Sequence, residues 1–210
     1  MIGLVALAQT IVIIMGGLDL SVGSIVGLTS IIIALAMREN NSLPLGIATG
    51  LAVGTVAGLF NGLLITKGKI EPVIATLGTL AVFRGAAFIS TNGAPIGIMS
   101  KTFNQIGSGR LGQIPMPLVI LVAVTVAFYI FLNYTDVGRN IYAIGGNAIA
   151  ARMSGVHIER YKLGVYALSG LVAGIAAIVL TARSNAGQPN AGVGLELESI
   201  TAAALGGIGK

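Results

Sequence analysis

The chain has 210 residues, of which 12 are Lys or Arg and 7 are Asp or Glu, giving a formal net charge of +5. Only 9% are charged and 55% are hydrophobic, with a mean hydropathy of +0.94. A soluble domain carries about 25% charged residues, so this composition excludes one and describes an integral membrane protein. Cysteine is absent, which removes disulfides, thiol catalysis and cysteine-ligated metals. The basic residues are scattered over loops and span ends without aromatic interleaving, which sets membrane orientation rather than a nucleic-acid footprint. Glycine, at 31 residues, is about twice its usual share and suits helices that approach closely in lipid.

In chain order, Ile2 to Met15 is apolar apart from Gln9 and Thr10. Gly16-Gly17-Leu18-Asp19-Leu20-Ser21-Val22-Gly23-Ser24 follows, and then a second apolar run to Met37. Each run is about 15 residues, or roughly 23 Å as helix, and a hydrocarbon core is about 30 Å thick. Short spans broken by glycine, with a carboxylate and hydroxyls at the break, are where transporters open backbone onto a pathway. Asp19 is also placed to cap the following helix through the Ser21 or Val22 N–H.

Arg38 to Leu43 reads as a polar loop and Pro44 to Thr66 as a span. Gly46, Gly50, Gly54, Gly58 and Gly62 recur at every fourth position of that span, a stripe that lets a neighbour cross with its backbone close. Asn61 is its one strongly polar side chain and is expected to bond to another helix. After the basic turn Lys67-Gly68-Lys69, Glu71-Pro72 opens ATLGTLAVFRGAAFI, where Thr76, Thr79 and Arg84 share an arc of roughly 140°. Arg84 there is expected to snorkel to an interface or to face a wet cavity. Asn92 to Pro117 reads as an irregular external loop. Its Gly107-Ser108-Gly109-Arg110-Leu111-Gly112 mimics a dinucleotide fingerprint, but it follows no strand and opens no helix. The terminal Gly209-Lys210 fails as a P-loop because Ala204 stands where the first glycine must be.

Ile114 to Leu132 reads as a span. Thr135 to Lys162 is a polar island, and Leu163 to Ala182 is a span with the small pair Gly170 and Gly174. Arg183 to Glu198 reads as a second loop, and Ile200 begins a further apolar helix. Within the island Asn147 can cap a helix start, Ala148 to Met153 favours helix, and Gly155 can take the left-handed closing conformation. The prediction is a helix of about two turns, too short to stand alone in water and therefore held by a partner or by neighbouring helix ends. Ile149 and Met153 would share a small apolar face flanked by Arg152. Six basic residues, Lys67, Lys69, Arg139, Arg152, Arg160 and Lys162, lie on the island's side of the membrane. Four, Arg38, Lys101, Arg110 and Arg183, lie on the other, which places the island in the cytoplasm.

His157, the only histidine, has no second ligand at metal spacing. All seven carboxylates, Asp19, Glu39, Glu71, Asp136, Glu159, Glu196 and Glu198, fall at loops or span ends. An ion-coupled carrier or channel, the alternative reading, would want one within a span. A membrane-embedded enzyme lacks its paired acid, His cluster or thiol, and no catalytic, cofactor or metal site is expected.

Four blocks occur in order: GGLDLSVGSIVGLTS, EPVIATLGTLAVFRGAAFI, GRNIYAIGGNAIAARMSGV and AGQPNAGVGLELESITAAALGG. Together they resemble the membrane permease subunits of bacterial ABC importers for ribose and related sugars. The resemblance implies an all-α polytopic transmembrane helical bundle of the inner membrane, with short broken helices and a cytoplasmic coupling helix. It implies a second permease copy, as homodimer or paired heterodimer, and a periplasmic sugar-binding protein that delivers substrate. A separate ABC ATPase subunit would hydrolyse ATP, and the lipid bilayer surrounds the whole.

The coupling site so implied comprises Gly146, Asn147, Ala151, Arg152 and Gly155, beside the apolar Ile149 and Met153. Asp19, Ser21, Thr76, Thr79 and Arg84 are candidates for pathway or gate contacts. Residues 1–210 are expected to form one permease domain with its coupling loop at 135–162. That domain is expected to be incomplete: family members continue past this point, their polar glycine-rich turn is replaced by Ile208-Gly209-Lys210, and the first helix is missing before Met1.

Overall fold

The structure is a computed structural model that describes residues 1–40, 42–98 and 100–206. The terminal Gly209-Lys210 lies outside the described residues, as do Asn41 and Met99 within the two expected loops. The chain is helical almost throughout, as a lipid-facing backbone must be to satisfy its own N–H and C=O groups.

Helix α1 (Ile2–Ile14) is followed by the break at Met15 to Ser21, and α2 (Val22–Asn40) by α3 (Leu43–Thr66) and α4 (Pro72–Ile89). The segment expected to be an irregular loop is in fact built of small elements. Strand β1 (Ile96–Gly97), helix α5 (Lys101–Ser108) and a hairpin of β2 (Arg110–Leu111) with β3 (Ile114–Pro115) fill it. Ser100 caps α5 by accepting from the Phe103 N–H at 3.3 Å, and Phe103 is fully buried beneath it. Gly107 of the discarded fingerprint sits within α5, against the backbone of Ala182 and Arg183, with no βαβ unit around it.

Helix α6 (Met116–Tyr134) leads into α7 (Asp136–Gly146), α8 (Ala148–Met153) and α9 (Ile158–Ser184). Strand β4 (Ala186–Gly187) pairs antiparallel with β1, and α10 (Leu195–Leu205) ends the described chain. Among the described residues four helices, α3, α4, α6 and α9, are long and apolar enough to cross a membrane. The 13 residues of α1 extend about 20 Å.

The centre is the crossing of α3 with α9, the most extensive pair in the bundle. Gly54 and Gly58 of α3 face Gly170 and Gly174 of α9 so closely that a Cβ on Gly58 or Gly170 would meet backbone atoms. The expected four-residue glycine stripe and the small pair of α9 are thus two sides of one contact. Helices α1, α2 and α5 pack on α9, and α2 also packs on α3 and α4. By contrast α4 and α6 turn much of their surface outward, as Ile74, Leu77, Val82, Leu118, Val122 and Val126 are exposed.

Candidate functional site

Three places concentrate polar or unusual structure. The first is the break between α1 and α2, which lies inside the bundle rather than at its edge. Asp19 and Ser21 are fully buried there. Asp19 Oδ1 accepts from the Ser21 N–H at 3.0 Å and from the Ser21 hydroxyl at 2.6 Å, so the predicted cap forms through Ser21. Asp19 Oδ2 accepts from the Ser169 hydroxyl of α9 at 3.4 Å. Asn61 of α3 donates to Ser21 Oγ at 2.7 Å, so its partner lies in the break rather than on another helix as expected. With its amide oriented to suit its surroundings, Gln9 of α1 donates to the Asp19 carbonyl and accepts from the Asp19 N–H, both at 3.2 Å. Tyr166 donates to the Leu18 carbonyl at 3.3 Å. Non-helical backbone deep in a membrane protein requires such satisfaction from side chains.

The second place is the chain from Asn185 to Gly194. It runs back along α2 on a face of small residues, with Gly187 against Ser30, Ile31 and Ala34, and Gly192 against Gly23. Ser30 joins both partners: it accepts from the Thr181 hydroxyl of α9 at 2.8 Å and from the Gln188 N–H at 3.2 Å. From Ala34 to Gly23 is about 16 Å of helix, so this re-entrant segment descends roughly half a hydrocarbon thickness before α10 begins. Gly192 has φ +75°, and a Cβ there would also meet Gly23 backbone, so both conformation and space call for glycine.

Arg84 serves this segment. Its Nη1 donates to the Pro189 carbonyl at 3.0 Å and to the Ala191 carbonyl at 2.7 Å. The guanidinium thereby satisfies two carbonyls of a non-helical stretch. Thr76 and Thr79, on the same helix, are buried and bond backward to the Pro72 and Thr76 carbonyls of α4. Asp19 with Ser21 and Arg84 with its carbonyls are therefore two separate clusters. Among the described residues no hydrogen bond joins one to the other or either to the threonines.

The third place is α8 at the end of the bundle where α3 ends and α9 begins. Asn147 caps it by accepting from the Ala150 N–H at 3.0 Å, and Gly155 closes it at φ +84°, both as the sequence predicts. Ala151 is buried on the inward side, while Ile149 is 75% and Met153 86% exposed. Gly146 stands in open space and Arg152 is exposed beside a cavity of about 600 Å³ that also contains Lys67, His157 and Arg160. The helix is held by its neighbours: the Val156 N–H donates to the Ala151 carbonyl, and α7 and α9 flank it.

Helix α7 itself was not foreseen. It is capped by Thr135, which accepts from the Gly138 N–H at 3.0 Å, and its buried face is Gly138, Ile141 and Ile144. The i, i+3, i+6 spacing of that face was available in the sequence.

Comparison with known proteins follows the same ordered blocks. The family model described as branched-chain amino acid transport system / permease component matches residues 1–210. The chain is 43% identical over 207 residues to the ribose import permease protein RbsC of Bacillus subtilis (strain 168), covering 98% of this chain and 64% of that protein. It is 38% identical over 208 residues to RbsC of Escherichia coli (strain K12), covering 97% and 65%. To the L-arabinose transport system permease protein AraH of the same strain it is 40% identical over 208 residues, covering 99% and 63%. The chain thus spans less than two thirds of the length of these relatives, and no solved structure matches it. With a match that runs from the first residue to the last, the chain belongs to the family of transport-system permease components.

Proposed function

We propose that residues 1–210 are the greater part of a permease subunit of an ATP-driven importer for ribose or a related sugar, multi-pass in a bacterial inner membrane. Its partners are an ABC ATPase subunit that hydrolyses ATP, a periplasmic binding protein that delivers the sugar, and a second permease copy. Similarity to ribose and arabinose permeases supports the substrate class.

The observation that carries the coupling role is the outward apolar pair on α8. A short capped helix that buries Ala151 yet exposes Ile149 and Met153 has its packing surface turned away from its own bundle. Exposed apolar side chains on a helix rimmed by a cation suit a groove on another protein. Gly146 and Gly155 free the two ends, Asn147 fixes the start, and Arg152 supplies orientation by charge. Closure of the ATPase pair would push this helix and, through α7 and α9, shift the population of the membrane helices between access states. Asp19, Ser21, Thr76, Thr79 and Arg84 act on the membrane side of that shift.

The test is Arg152→Glu in the full-length permease reconstituted with its ATPase. Membrane insertion is expected to be unchanged, while transport-coupled ATPase stimulation falls on the order of tenfold, the equivalent of about 1.4 kcal/mol at the contact. Normal coupled uptake in that variant refutes the assignment.

A further inference from the structure

Arg84 uses one nitrogen for both carbonyls of the re-entrant segment, and among the described residues its Nη2 and Nε have no hydrogen-bond partner. Glu196, in the first turn of α10, has the opposite deficit. Its Oε1 accepts from the Gly194 N–H at 3.3 Å, but Oε2 is buried without a partner among the described residues. A buried carboxylate oxygen left unpaired is costly.

Both groups stand over α2. A Cβ on Gly27 would lie 2.8 Å from Arg84 Nη1, and a Cβ on Gly23 would run into Glu196 Oε2. These glycines are four residues apart, so the cation and the carboxylate are separated by about one helical turn, roughly 5–6 Å. No ion pair joins them; the only one among the described residues is Arg139 with Asp136. A half-buried cation with spare donors and a carboxylate with a buried spare acceptor attract each other. They are held apart by where α4 and α10 sit on α2.

We propose that Arg84 is a positioning residue that exchanges partners. In the conformation seen it grips the Pro189 and Ala191 carbonyls and keeps the re-entrant segment seated on α2. In the alternate conformation α4 shifts along α2 by about 3 Å, the difference between the present gap and an ion-pair distance, the guanidinium pairs with Glu196 Oε2, and the segment is released. The exchange needs no side chain larger than glycine to move aside on α2, because Gly23 and Gly27 are the surface over which it travels. Its role as a gate rests on the transport reading above; the exchange itself does not.

The chain has no cysteine, so spin labels can be placed at will on the full-length protein, freed of any cysteine outside this region and held in nanodiscs. Labels at Val82→Cys of α4 and Val193→Cys of the segment occupy exposed positions. The distance distribution is expected to hold two populations about 3 Å apart, the minor one near 10%. Glu196→Gln collapses it onto the major population, and Glu196→Asp, which keeps the charge, restores part of the minor one. Arg84→Gln, with no grip on the carbonyls, broadens the major population. A single population untouched by Glu196→Gln overturns the proposal, because an Arg84 that merely braces the segment would give that result. Sugar uptake with ATPase and binding protein present is measured separately, and Glu196→Gln is expected to slow it about tenfold. A parent that takes up no sugar sinks the transport reading and leaves the distance measurement to decide the exchange.

Discussion

Ser21 stands at the junction of three elements. Its hydroxyl donates to Asp19 Oδ1 and accepts from Asn61 Nδ2, and its N–H caps the break through the same carboxylate oxygen. Ser21→Ala strands the Asn61 amide, whose Oδ1 already lacks a partner among the described residues, and removes the shortest bond to Asp19. The expected loss is about 1–3 kcal/mol of stability, as for any buried polar group left unpaired, read by SDS titration or thermal shift in detergent. Thr125→Val is the control, since that exposed hydroxyl bonds only to Leu121 of its own helix, and it should shift stability by less than about 0.5 kcal/mol. The cap of Asp19 through Ser21 was legible in the sequence because both lie within two residues of each other. The partners Ser169 and Tyr166 were not, since they are joined to the break across about 150 residues by the path of α9. Gln9 was visible as a polar residue in an apolar run, but its partner was not.

At the scale of the helix, the two kinds of glycine separate cleanly. Gly58 and Gly170 touch each other's backbone, so Gly58→Val must push α3 off α9. Overpacking of this kind costs about 1–3 kcal/mol, and the folded fraction in a detergent unfolding titration is expected to drop accordingly. Gly78, on α4, has nothing within 4 Å of an added Cβ. Gly78→Ala is therefore expected to be neutral or to stabilise by up to about 0.5–1 kcal/mol through helix propensity. The same titration on both variants checks the pair, and equal destabilisation would argue against the crossing. The spans and the stripe could be read from sequence because hydropathy and four-residue spacing are local patterns. The segment from Asn92 to Pro117 was opaque for the converse reason. Its α5 exists by burying Phe103 and by Asn104 donating to the Ala182 carbonyl at 3.0 Å, contacts that no local pattern announces. The path of Arg183 to Glu198 was hidden likewise, because its descent along α2 depends on the small face of a helix 160 residues earlier.

Across the whole molecule, orientation is the claim with most resting on it. The cavities of about 600 and 820 Å³ beside α8 gather Lys67, Lys69, Arg152, Arg160 and Lys162 at one end of the bundle. Excess Lys and Arg mark the cytoplasmic face. Ser154→Cys, exposed just after α8, is therefore expected to react with a membrane-impermeant maleimide in inverted vesicles and to be protected in right-side-out ones. Labelling from the outside would put α8 out of reach of a cytoplasmic ATPase subunit and refute the proposed coupling role. In the sequence these residues are only a count of six basic against four; the convergence of five of the six on one pair of adjoining cavities comes from folding.

Where α3 crosses α9 there is backbone against backbone, with no side chains between that could rotate into a second arrangement. Two rods welded in this way have no joint. In the proposed transport cycle, movement is therefore expected in α4 and α6, whose faces turn outward, swinging about α3 and α9 as a common mast.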